Sequence, residues 1–283
     1  MSELQMRIRP FVELFLNLTC AGFSLKALVP YAKQHKKSGF VGSILLFIST
    51  LAFYSILYFA DSLIILLQSA NLVPPGTQSN KWFFVFKSSS INFIYLSGAE
   101  LALDRFLLMS FPIKYTRWDI SKRLCVIAAI LGVLSFAYLL ISNAFFPLHN
   151  AFYVLGIIFD VSVCIELFLH LSFCVKYHHF SRNHQIQGTR SNNLKANQVT
   201  LVQSISTVIL CLVPKLLYRA NTLFLGGRVY WIVIVSWYYQ LFFSLNTFII
   251  SAFIVFRHSQ NEKAQIISVT QSSNVPRSFV SKA

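Results

Sequence analysis

The stretch Glu100-Leu-Ala-Leu-Asp104-Arg105-Phe106-Leu-Leu-Met-Ser-Phe-Pro112-Ile-Lys-Tyr115 closes a long apolar run with two acids and an arginine. An acid beside a base in such a run belongs where a helix leaves lipid, and its chemistry is that of an ion pair that can be made or broken. Other ionisable residues lie deeper in apolar segments: Asp61, Lys87, Asp160, Glu166, Lys215 and Arg219. Charges there are costly, and they turn toward a bundle interior, toward one another or toward a ligand. Arg105 follows Lys87 by 18 residues, about five whole helical turns, so both side chains share a face roughly 27 Å apart.

Measured from the ends of the apolar segments, Asp61 and Lys87 sit about 8 to 10 Å below one boundary, and Asp160, Lys215 and Arg219 about 9 to 15 Å. The expected pairs are Asp61 with Lys87, and Asp160 with Lys215 or Arg219. Three cations against two anions leave one positive charge over. That favours an anionic or carbonyl-rich small ligand at this end, flanked by Tyr58, Tyr218, Tyr238 and Gln240. Ion pairs that only lock helix packing are the competing reading. Glu100, one turn before Asp104, is expected to be a second partner for Arg105 or a proton-linked switch, against the alternative that the whole cluster snorkels to the interface.

These residues must be positioned by helices in lipid. Of 283 residues, 55% are hydrophobic and only 12% charged, more apolar surface than one soluble core of this size covers. The expected fold is an all-α integral membrane bundle of seven transmembrane helices. Windows of about 20 residues or more fall near 11–31, 40–68, 82–111, 124–146, 152–175, 199–225 and 229–256. Residues 1–258 make up the bundle. The serine-rich tail, 259–283, has a composition that favours disorder, with phosphorylation as one use for it.

The net charge of +15 does not point to nucleic acid, because the cations are not gathered on one solvent face. Lys33, Lys36, Lys37, Lys114, Arg117, Lys122, Arg123, Lys176, Arg182, Arg190, Lys195, Arg257, Lys263, Arg277 and Lys282 fall in alternate loops and the tail, against Arg7, Arg9, Lys81 and Arg228 on the other side. Fifteen against four puts the C-terminus in the cytosol and the N-terminus outside. The alternative is a cleaved signal peptide ending near Ala21-Gly22, which would invert the loop pattern. The loops leave no ectodomain, so a ligand must enter among the helices.

The five cysteines lie in or beside apolar segments and read as small buried hydrophobes rather than a disulfide framework. The seven histidines read as lacking a helical i,i+4 pair with a nearby acid, and His178-His179 lies in a basic loop, so no metal site is expected. Asp160 and Glu166 stand about 240° apart on a helix and do not make a carboxylate pair. No zinc-protease, nucleophile-elbow or phosphate-loop motif occurs. Neither an enzyme nor a cofactor is expected. The sequon Asn17-Leu-Thr19 lies inside the first apolar window and is expected to stay unmodified.

Asp104-Arg105-Phe106, with Pro112 and Tyr115 at their spacings, resembles the third-helix signature of rhodopsin-like G-protein-coupled receptors. Cys211-Leu212-Val213-Pro214 resembles the family's Cys-Trp-x-Pro, with Leu212 in place of the tryptophan, and Pro214 should kink its helix. Asn246-Thr247-Phe248-Ile249-Ile250 resembles Asn-Pro-x-x-Tyr in Asn246 alone. Small size, 28 phenylalanines and the lack of an outer cysteine near 80–84 look like the divergent nematode serpentine chemoreceptors, of the Srbc or a neighbouring class. The resemblance covers about residues 10–258. It implies a chemosensory receptor in the cell membrane of a neuron or sensory cilium, a small-molecule ligand and a heterotrimeric G-protein as partners, and Asp104 as the residue restraining Arg105 at rest. The competing expectations are a small multi-span transporter or channel and an intramembrane enzyme.

Overall fold

Glu13, Asn17, Cys20, Ser24 and Ala27 recur at spacings of three and four, so they form one stripe of a helix, and that stripe is the buried one. The opposite stripe of the same helix, Phe11, Phe15, Leu18, Leu25 and Val29, is exposed. A helix in water hides its apolar face. This one hides polar and small residues and shows phenylalanine and leucine outward, the pattern of a helix whose solvent is lipid.

The structure, a computed structural model, describes residues 3–38, 42–74, 81–145, 161, 164–179, 192–226, 229, 232 and 238–273. The elements are α1 (Glu3–Ser38), α2 (Gly42–Ser69), α3 (Lys81–Ser110), the short α4 (Pro112–Arg117), α5 (Ile120–Phe145), α6 (164–179), α7 (Asn192–Thr207), a π turn (Val208–Leu212), α8 (Val213–Leu225) and α9 (Tyr239–Ser273). No strand occurs among the described residues.

Five helical segments are long and apolar enough to cross a membrane: Ile8–Lys33, Gly42–Ser69, Ile120–Ser142, Asn197–Phe224 and Tyr239–Arg257. The chain is a multi-pass helical membrane protein. α3 is not one of the five. Its 30 residues reach about 45 Å, but Lys87, Ser88 to Ser90, Asn92, Glu100, Asp104 and Arg105 make it polar. It is placed accordingly, packed against α2, α4, α5 and α7. Of the apolar window expected at 152–175, residues 152–160, 162 and 163 lie outside the described residues, and the window expected at 229–256 is described as a span from Tyr239 on. The backbone of residues 259–273, in the tail whose composition favours disorder, continues α9. Extending a formed helix costs far less than nucleating one.

Side-chain contacts fix the helix directions. Asp61 late in α2 meets Lys87 early in α3, and Ser43 early in α2 meets Asp104 late in α3, so these two run antiparallel. Phe86 with Phe136, and Glu100 with Cys125, set α5 antiparallel to α3. Asn17 with Ser244, and Ser24 with Ser251, set α1 and α9 parallel.

Hydrocarbon gives no hydrophobic drive between helices, so packing and polar contacts must hold them. Cys20, Ser24, Ser55 and Ser251 form a small thiol and hydroxyl cluster joining α1, α2 and α9 at 2.9 to 3.1 Å, each such bond contributing about 0.6 kcal/mol. Aromatic packing fills the centre: Tyr54 stacks on Tyr58 at 4.2 Å between ring centroids, and Phe243 meets Tyr54 at 5.0 Å and Tyr95 at 5.5 Å.

Candidate functional site

The buried polar residues gather at three levels, one near each end of the bundle and one between them. At the first end α2 and α3 bring Asp61 and Lys87 together, the ammonium donating to Oδ2 and lying 5.0 Å from the Tyr58 ring. Arg9 Nε donates to Glu13 Oε1 at 2.7 Å, and Gln240 Nε2 donates to Glu13 Oε2 at 3.1 Å. Glu13 lies close enough to Asp61 and Lys87 to feel both charges. The cluster thus sets two basic side chains, Arg9 and Lys87, against two carboxyl groups, Glu13 and Asp61.

Arg9 and Glu13 add one cation and one acid to the expected set, which leaves its count one cation ahead. Glu13, a charge in the middle of an apolar segment, is a buried member of the cluster. Its signal was the spacing of Glu13, Asn17, Cys20 and Ser24 on one face. Asp160, the expected partner of Lys215 or Arg219, lies outside the described residues. Lys215 has its ammonium 5.7 Å from the Tyr95 ring, and its charge acts on Glu166. Tyr218 is exposed on α8, Arg219 and Tyr238 are half-buried, and Gln240 is engaged by Glu13. Among the described ligand candidates, Asp61 and Lys87 pair with each other, Gln240 bonds to Glu13, and Lys215 lies by Tyr95.

At the middle level the structure corrects the histidine reading. Glu166 and His170 are an acid and a histidine one helical turn apart, both buried, with Oε1 3.1 Å from Nε2. His170 Nδ1 meets Ser204 Oγ at 2.7 Å, and Gln203 Nε2 lies 3.3 Å from Nε2. α3 reaches this node through Gly98, where an added Cβ would fall 2.9 Å from Gln203 Nε2 and 3.1 Å from Glu166 Oε1. At Gly98 the α3 backbone therefore comes close to the ends of both side chains, which would have to shift for any larger residue.

The break expected at Pro214 takes the form of a π turn. Pro214 has no N–H to close an α turn, and just before it Val213 N–H bonds to Val208 O, five residues back. Asn246 sits against this break, accepting from Ser206 Oγ and donating to Thr207 Oγ1 at 3.3 Å. Asn246 thus ties α9 to the end of α7, just before the π turn that precedes Pro214.

At the far end Asp104 is fully buried. Ser43 Oγ donates to Oδ2 at 2.5 Å and Tyr115 OH donates to Oδ1. Arg105 Nε is 3.6 Å from Oδ2, inside ion-pair range and beyond a hydrogen bond. Burial, then the Asp104 carboxylate, pushes the Tyr115 phenol well above its ordinary range, so it stays a proton donor. Pro112 opens α4, where a missing N–H is harmless, and the helix turns Tyr115 back under α3. Phe106 is half-buried. Glu100 is not a hydrogen-bond partner of Arg105: its Oε1 accepts from Cys125 Sγ at 3.5 Å, and its Oε2 has no hydrogen-bond partner among the described residues.

The cysteines are all free. Cys20 and Cys211 are buried, while Cys164 is exposed rather than buried. Asn17 of the sequon is buried against Ser244. No group of three metal-ligating side chains occurs among the described residues. No protein-family model matches the chain, and comparison with curated proteins gave no match. Charged and polar side chains thus gather at two ends of the described bundle and at a level between them.

Proposed function

We propose that this chain is a seven-span G-protein-coupled chemosensory receptor, rhodopsin-like in its third helix, with its N-terminus outside and its tail in the cytosol. Alternating helix directions and the cations in alternate loops support that topology. One observation carries the functional reading: Asp104 is held by two neutral hydroxyls, from Ser43 and Tyr115, while Arg105 stands 3.6 Å away without a hydrogen bond to it. The arginine is parked at the cytosolic end by a weak ion pair, ready to be taken by the C-terminal helix of a G-protein.

In this reading a small molecule enters at the Asp61 end and favours one of two bundle states. The π turn before Pro214 supplies the compliant point in α7–α8, and Asn246 couples it to α9. Movement of α7–α8 then opens the Arg105 end. The divergent nematode serpentine chemoreceptors are the proposed family, with a neuronal or ciliary cell membrane as the proposed location.

The test is G-protein activation in cells expressing the chain, against a panel of small organic ligands. A ligand response that Arg105→Ala abolishes, with surface expression intact, is the expected result; a response retained by that variant rejects the coupling role. A transporter or channel is the second reading, favoured by the ionisable groups at all three levels. Ligand-dependent ion flux in proteoliposomes without any G-protein would support it.

A further inference from the structure

The α3–α5 connection combines features that ordinary loops keep apart. Of the six residues of α4, Tyr115 is 2% exposed and bonded to Asp104, while its neighbour Ile113 is 82% exposed. Phe111 and Trp118 on either side are 53% and 55% exposed. Lys114, Arg117, Lys122 and Arg123 are exposed among them, and none makes an ion pair with an acid among the described residues. Asp119 is the one acid of the segment, and it takes φ 48° at the turn into α5.

Position decides what this surface meets. The candidate membrane span of α5 starts at Ile120 and still carries exposed Lys122 and Arg123 in its first turn, which sets residues 111–123 at the depth where hydrocarbon gives way to headgroups. Bulky apolar side chains set among lysine and arginine are the composition of a surface that lies in that boundary. We propose that residues 111–123 dock the anionic phospholipids of the adjoining leaflet. Phe111, Ile113 and Trp118 enter beside the acyl chains, and Lys114, Arg117, Lys122 and Arg123 pair with headgroup phosphate and carboxylate. Because Tyr115 ties the same segment to Asp104, lipid occupancy steadies the partner of Arg105. The proposal rests on the topology above only in naming the cytosolic leaflet, which is the anionic one.

The test uses the full chain in nanodiscs of phosphatidylcholine with a minor share of phosphatidylserine in both leaflets, so its outcome does not depend on orientation. Lipids retained by the protein are counted by native mass spectrometry. The wild type should enrich phosphatidylserine and lose that enrichment as salt rises. Each of Lys114→Gln, Arg117→Gln, Lys122→Gln and Arg123→Gln should lower it about fivefold or less, and the combined variant should abolish it. A control variant, Lys176→Gln with Arg182→Gln, Arg190→Gln and Lys195→Gln, should retain it. Enrichment that survives the first combined variant, falls equally in the control, or ignores salt in the wild type overturns the proposal. Unchanged lipid counts together with lost G-protein activation in the first variant would assign the surface to an acidic protein instead. Labelling of Thr116→Cys by an impermeant maleimide from each side of intact cells tests the topology separately.

Discussion

The two ends of the bundle both centre on a buried aspartate, and they satisfy it in opposite ways. Asp61 is held by the full charge of Lys87 inside a four-member cluster with Arg9 and Glu13, spread over α1, α2 and α3. Asp104 is held by two hydroxyls, and its own cation stands beyond hydrogen-bonding range. Breaking the first arrangement strands a buried charge. Breaking the second costs a hydrogen bond to a carboxylate, about 1.5 to 3 kcal/mol. On the proposed reading, the first end stays together and the second lets go.

The sharpest way to break this contrast is Lys87→Ala, which leaves Asp61 buried beside Glu13. It should destabilise the bundle by about 3 to 5 kcal/mol, read as a lower melting temperature in detergent and poor surface expression. Asp61→Asn combined with Lys87→Gln should recover most of the loss. A double variant as unstable as the single one would mean that the pair is not the source of the penalty.

Gly98→Ala probes the level between the ends. Its Cβ would press on Gln203 and Glu166 at 2.9 and 3.1 Å, so a destabilisation of about 1 to 3 kcal/mol is expected, relieved by Gln203→Ala in the same chain. Ser251→Ala should have the smallest effect. Removing a hydroxyl that meets both Cys20 and Ser24 costs about 1 kcal/mol or less, and thermal unfolding in detergent measures it. A larger loss than for Lys87→Ala would reverse the ranking of the two kinds of contact.

Much of this was legible in the chain because a helix converts spacing into direction. Asp61 and Lys87 meet as their depths foretold, and Tyr115, eleven residues after Asp104, returns to it because Pro112 opens a new turn between them. The rest failed for identifiable reasons. Glu13 looked like a defect because hydropathy alone ignores which face a charge lies on. Glu166 and His170 stand four apart, but what marks them as a node is their partners Ser204 and Gln203, which come from a helix more than thirty residues later. Ser43 carries no signal at all: a serine at a helix start takes its meaning from the carboxylate that another helix brings to it.

In the proposed function, the Asp104 end releases Arg105 to a G-protein. Guanine-nucleotide exchange on a reconstituted heterotrimer, compared among wild type, Tyr115→Phe and Arg105→Ala at equal receptor density, tests it most directly. Tyr115→Phe should raise basal exchange, roughly tenfold at most for the loss of one such bond, while Arg105→Ala should bring it to background. Exchange that is the same in all three would contradict the account.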